Sequence, residues 1–192
     1  MKYLFFLWFA FLCVSCNQRA GDHEKAVAMQ EKAVLFMQKE VYDSALYYLE
    51  EAIRLDRTYY LPYQQKANIY IKLHDTDKAI DASKKAVSVK PDFAEGWTYL
   101  GLLYKQEGDK RQSAESLEKS ISLYDKRLVS LTDSGEIEAN KLNKAWALML
   151  LGKEPEAKAI LQELTSLNEY RSVAKALMNM NGDELMKQLI NN

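Results

Sequence analysis

A chain of 192 residues, 48% apolar and 28% charged, suits one domain or a short repeat array and excludes two large domains. Lys and Arg number 26 against 27 Asp and Glu, a net charge of -1, which leaves no basic excess to neutralise a nucleic-acid backbone. Seven Gly, three Pro, two His (His23 and His74) and two Cys (Cys13 and Cys16) supply little for turn-rich strands, phosphate loops, metal clusters or Cys/His nucleophiles, so an all-α, cofactor-free protein is expected.

The first predicted element is an export signal over residues 1–15. Lys2 supplies the positive start, a twelve-residue apolar run from Tyr3 to Val14 follows, and Ser15 and Cys16 close it. The run falls short of the roughly 20 residues that span a bilayer. Leu12-Cys13-Val14-Ser15-Cys16 resembles a bacterial lipobox, with Cys13 standing where Leu, Val or Ile is usual. The resemblance implies cleavage before Cys16, lipid on its sulfur, and residues 16–25 as the lipidated Cys and a short polar tether. An uncleaved anchor and a plain peptidase cut that leaves Cys16 free are the rival readings. No Cys follows Cys16, so the rest of the chain folds without disulfides.

Three blocks of 34 residues then superimpose without a gap: 26–59, 60–93 and 94–127. Apolar or small residues recur three, four and seven positions after the first anchor, as in Trp97, Leu100, Gly101 and Tyr104, which is one face of a helix. After a polar turn, Ala45, Leu49 and Ala52, or Ala79, Ser83 and Ala86, mark a second helix, so each block predicts a hairpin. Ala33, Ala67 and Gly101 are the small residues at which its helices cross. The third block, Trp97-Thr-Tyr-Leu100-Gly101-Leu-Leu-Tyr104 followed by Gly108 and Ala114, resembles the tetratricopeptide repeat (TPR). That resemblance implies a right-handed solenoid of antiparallel helical hairpins whose first helices line a concave groove.

A degenerate fourth hairpin is expected at 138–167 after an inserted segment, with the helix broken around Asp133, Ser134 and Gly135 and resuming from about Glu136 to Leu151. Lys141 and Lys144 stand where two apolar anchors belong. Pro155 suits a helix first turn, and Ala157, Leu161 and Leu164 form the next stripe. The tail, 168–192, reads as capping helices: one over Asn168 to Met180, a stop at Asn181-Gly182, and a short amphipathic piece from Asp183 to Ile190.

At about 100° per residue, Glu95, Thr98, Leu102 and Lys105 point away from the hairpin core. Their equivalents are Val27, Gln30, Val34 and Met37 in the first repeat and Leu61, Gln64, Asn68 and Ile71 in the second. Gln30, Val34, Met37, Gln64, Asn68, Ile71, Thr98, Leu102 and Lys105 are therefore the candidate partner-binding residues. An apolar stripe flanked by amides suits a peptide better than a metabolite; the bland counterpart is a tail folded back onto the same face. Some TPR proteins grip a chaperone's C-terminal carboxylate with a cationic clamp. The matching positions here, Gln30, Val34, Gln65, Glu95 and Tyr99, hold no cation. His74 beside Asp75 and Asp77 reads as a solvated cap before it reads as a metal site.

Taken together, the chain is similar to bacterial TPR-containing lipoproteins such as secretin pilots, outer-membrane assembly subunits and tethers for envelope enzymes. The implied role is a non-catalytic adaptor, membrane-bound through Cys16 on the periplasmic face, binding another envelope protein or peptide and no nucleic acid. Self-association is the alternative from another class, and a small-ligand receptor or enzyme closed by the tail is the third.

Overall fold

The computed structural model describes the backbone of residues 4–167 and 169–191, and the side chains of residues 21–167 and 169–189. Among these residues there are ten helices and no strand: α1 Leu4–Gln38, α2 Tyr42–Leu55, α3 Tyr60–Lys72, α4 Thr76–Val89, α5 Ala94–Glu107, α6 Lys110–Ser130, α7 Ser134–Leu151, α8 Glu154–Leu164, α9 Arg171–Met178 and α10 Gly182–Asn191. No described helix is long and apolar enough to cross a membrane. The signal-peptide and lipidation readings, Cys16 included, fall outside the described side chains.

The chain divides into two compact units, Met1–Lys90 and Pro91–Asn192. In the first, α1 pairs with α2 and α3 with α4. Ala33, Ala45, Leu49 and Ile69 form a buried cluster with Phe36, Met37, Tyr42, Leu46 and Tyr48 against it. Ala33 and Ala67, the predicted crossing positions, are fully buried. In the second unit α5 pairs with α6 and α7 with α8. Its core runs from Leu102 and Leu117 through Ala145, Leu148 and Leu161 to Ala174, Leu177 and Leu185.

The turn inside each hairpin recurs with the sequence period. The backbone N–H groups of Val41, Asp75 and Asp109 donate to the carbonyls of Phe36, Tyr70 and Tyr104 at 2.9, 2.8 and 2.9 Å, while those of Glu40, His74 and Gly108 donate to Met37, Ile71 and Lys105 at 3.0, 2.9 and 3.2 Å. This pair of bonds is the Schellman termination, in which the donor of the second bond takes the left-handed region. Glu40 has φ 57°, His74 58° and Gly108 81°. The next residue opens the second helix. Asp75 accepts from the Lys78 N–H at 3.2 Å and Asp109 from the Gln112 N–H at 3.0 Å, whereas Val41 has no side chain able to accept. The same turn returns at Lys153 N–H to Leu148 at 2.8 Å, which is 44 residues after Asp109. The fourth hairpin is thus the repeat displaced by ten residues.

Several expected boundaries move. Residues 17–25, read as a polar tether, lie within α1, with no Pro to interrupt the stretch. The break after the third repeat falls at residues 131–133. Asp133 is the N-cap of α7, accepting from the Glu136 N–H at 2.9 Å, so Ser134 and Gly135 belong to the helix they were expected to break. Lys141 and Lys144 replace apolar packing with ion pairs, Lys141 to Glu163 at 2.7 Å and Lys144 to Asp125. In the tail, α9 spans only Arg171–Met178, and Asn168 lies outside the described residues. Asn181 starts a helix where a stop was expected. Its Oδ1 accepts from the N–H groups of Asp183 and Glu184, each at 3.0 Å, and Glu184 Oε2 accepts from the Asn181 N–H at 2.9 Å. That reciprocal pair is a capping box.

Candidate functional site

The face opposite the hairpin core of α5 carries Glu95, Thr98, Leu102 and Lys105, and α10 lies along part of it. Lys105 Nζ is 3.1 Å from Asp183 Oδ1. At the N-terminus of α10, Gly182 approaches the Met149 carbonyl so closely that a Cβ there would collide with its oxygen. Leu185 is buried, and Met186 and Leu189 pack against the same core as Leu102. Shifting by the 44 residues found for the turns, Met149 is the equivalent of Lys105 and Trp146 of Leu102. The tail therefore covers the corresponding face of two successive hairpins.

Beside Leu189 of α10 lies a half-open pocket of about 230 Å³, walled by Tyr99, Leu102, Tyr124, Trp146, Leu150 and Leu189, with Glu95, Thr98 and Asn143 also bordering it. Burial raises the Tyr99 hydroxyl far above its ordinary range. Tyr124 moves the same way, through burial first and then the Glu95 charge. The Trp146 indole N–H is buried with no acceptor among the described residues. At the edge, Arg127 grips Glu95 with two bonds of 2.6 and 3.3 Å and Asn140 with a third of 3.0 Å. The Glu95 carboxylate holds the guanidinium protonated, raising its pKa further. The Thr98 hydroxyl is engaged with Ser120 at 2.6 Å, and Ser120 donates to the Ala94 carbonyl at 2.9 Å.

The first unit presents its own set. Gln30 is buried and its Oε1 accepts from the Tyr59 hydroxyl at 3.2 Å; the Tyr59 ring meets His23 edge-on at 5.1 Å, and His23 Nδ1 lies 2.6 Å from Asp56 Oδ2. Val34, Met37 and Ile71 are half-buried. The Gln64 amide donates to Asn68 Oδ1 at 3.2 Å, which leaves the Asn68 NH₂ group as a donor at the surface of α3. Of the nine candidate residues, Gln30, Thr98, Leu102 and Lys105 are buried or bonded to other segments of their own unit, and Gln64 and Asn68 are bonded to each other. Val34, Met37, Gln64, Asn68 and Ile71 form the half-open face. Sequence reasoning overlooked Tyr124, Trp146 and Leu189. Trp146 was accessible from the ten-residue offset, whereas Leu189 depends on where the tail lands.

Among the described residues no three His, Cys, Asp or Glu side chains group as ligands, and Asp75 beside His74 caps α4 and pairs with Lys78 at 2.6 Å.

Comparison with known proteins places this geometry. Residues 62–93 and 94–127 match the tetratricopeptide repeat family. The BBSome complex member BBS4 of Bos taurus is 32% identical over 117 residues, covering 53% of this chain and 22% of that protein. The TPR repeat-containing protein MJ1428 of Methanocaldococcus jannaschii is 30% identical over 124 residues, covering 64% and 20%. The chain spans about a fifth of the length of these curated relatives. Among solved structures, the first TPR of Spaghetti (RPAP3), bound to an HSP90 peptide, superimposes with a TM-score of 0.50 at 15% identity, covering 62% of this chain and 91% of that one. At that identity the likeness is one of fold.

Proposed function

We propose that the protein is a non-catalytic adaptor that holds a peptide or protein segment against the first helices of its repeats. Proteins built from these repeats generally mediate protein–protein interactions. The observation that supports the reading here is the face formed by Val34, Met37, Asn68 and Ile71. Half-buried apolar side chains beside a free amide donor suit an extended backbone with alternating apolar residues, since the amide bonds a peptide carbonyl while the apolar groups set specificity. The solved neighbour bound to a peptide supports the same class of partner.

The adaptor is further read as an exported lipoprotein of the bacterial envelope, on the lipobox-like residues before Cys16. An N-terminal lipid would hold it at a membrane surface, since each buried acyl methylene contributes about 0.8 kcal/mol.

Two experiments test these readings separately. Crosslinking and co-purification from intact envelopes should capture a partner with the native chain and lose it with Asn68→Ala, Ile71→Lys, a variant whose circular dichroism stays native. The same captured proteins in both samples would refute the role of this face. Leu102 is unsuitable for such a test, since its burial makes a charged replacement a folding defect. For the anchor, Cys16→Ala should appear in the soluble or precursor fraction; a processed form that stays on membranes would overturn lipidation.

A further inference from the structure

We infer that α10 is a built-in occupant of a helix-binding face on the second unit, and that the partner fitting this face is an amphipathic helix with an acidic residue in its first turn and apolar residues two, three and six positions later, the last of them aromatic. This deepens the adaptor reading and rests on it.

Three observations define the template. Asp183 supplies the acid, set against Lys105 at 3.1 Å, and Leu185, Met186 and Leu189 supply the apolar positions. The capping box of Asn181 and Glu184 closes the start of α10 on itself and favours the helical form when it is docked, whereas a helix this short is marginal in water once it leaves the body. Its attachment is light in polar terms: among the described residues the Lys105–Asp183 pair is the one ion pair between α10 and the body of the unit, and the Asp183 side chain is 73% exposed.

The third observation is misfit. Leu189 borders a half-open, mostly apolar pocket of about 230 Å³ that Tyr99, Tyr124 and Trp146 also line. Unfilled apolar space forfeits dispersion contacts that a larger side chain would recover. An aromatic ring in place of Leu189 would stack or meet edge-on with three aromatic walls, so a competing helix carrying one gains contacts that α10 lacks. The tail then acts as a competitor that lowers the apparent affinity for a partner by the fraction of molecules in which it is docked.

The test uses the full chain and synthetic fluorescent peptides of residues 181–191: the native sequence, a Leu189→Tyr version, and a version adding Asp183→Lys to that Tyr. Anisotropy should show the Tyr peptide binding more tightly than the native one. The doubly changed peptide should be weaker by about threefold or more and be rescued by Lys105→Glu in the protein. Hydrogen exchange in residues 183–189 should rise as the Tyr peptide saturates. Loosening α10 with Gly182→Val, or at its far end with Leu189→Asp should the first variant fail to fold, should tighten Tyr-peptide binding about tenfold or more. No binding by any peptide to a folded, loosened variant, equal binding by the Asp and Lys peptides, or binding without a rise in exchange would each overturn the inference. Partner capture through Asn68 and Ile71 is a separate readout. Its survival alongside a failed peptide experiment would sink the role of α10 and leave the adaptor standing.

Discussion

Gly101 and Leu117 meet where α5 crosses α6, and a Cβ placed on Gly101 would stand 2.6 Å from Leu117 Cγ and 3.2 Å from the Ser113 carbonyl oxygen. Ser113 also donates its hydroxyl to the Gly101 carbonyl at 2.9 Å, which ties the helices together at that point. Gly101→Ala must push the second helix away or force Leu117 off its rotamer. Overpacking of this kind costs about 1 to 3 kcal/mol. Urea unfolding measures it, and a midpoint equal to that of the native chain would mean the helices can separate without loss.

The crossing was legible because it repeats. Ala33, Ala67 and Gly101 lie 34 residues apart, and a period that long is a statement about packing between helices, so the hairpins, their turns and the crossing could be read from one strand of letters. What could not be read is non-local. That Leu102 and Lys105 lie beneath α10 follows from where a ten-residue tail comes to rest, and nothing in their own helix encodes it. Asn181 shows a second failure: Asn-Gly is a common helix stop, yet Glu184 three residues after Asn181 is equally a capping box, and only packing against Met149 selects the start. The continuity of α1 was hidden because a polar stretch after an apolar one, with Asn17, Gly21 and Asp22 in it, looks like a boundary.

His74 occupies a backbone position that Gly108 fills in the next repeat. At φ 58° an L-residue crowds its Cβ against its own carbonyl, while glycine does not. Replacing His74 by Gly removes that strain and loses some through the extra freedom of the unfolded chain, leaving a net gain of roughly 0.5 to 1 kcal/mol. Gly108→Ala should show the opposite sign by a similar amount. Thermal melts of the two variants should shift in opposite directions; a shift of the same sign would contradict the assignment of these turns.

Val41, like Lys153 in the fourth hairpin, is a gap in a series of helix caps. Asp75 and Asp109, at the equivalent places, each accept a backbone N–H three residues on, and the corresponding donor after Val41 is that of Ser44. Val41 is 43% exposed, so a carboxylate there stays hydrated, and its charge also favours the positive end of the α2 dipole. Val41→Asp should stabilise the first unit by about 1 kcal/mol. Hydrogen exchange at the start of α2 is the sharpest check, because the slowing should be concentrated in its first turn. A uniform change along the helix would point to another cause.

Tyr99 gives the second unit a limit at high pH. Burial raises its hydroxyl well above the ordinary value near 10, so the unfolded chain releases that proton first as pH climbs. A group whose folded pKa is raised contributes stability that is complete below the unfolded value and declines above it. The second unit should therefore keep its stability up to about pH 10 and lose it progressively beyond, with Tyr124 acting in the same direction. Tyr99→Phe should flatten the alkaline limb of the stability curve. Spectrophotometric titration of the native chain should show a late fraction of tyrosine ionising only together with loss of helix. If all 12 tyrosines titrate in one ordinary wave while the helix signal persists, the cavity wall is open to water and the packing of α10 over it has been misplaced.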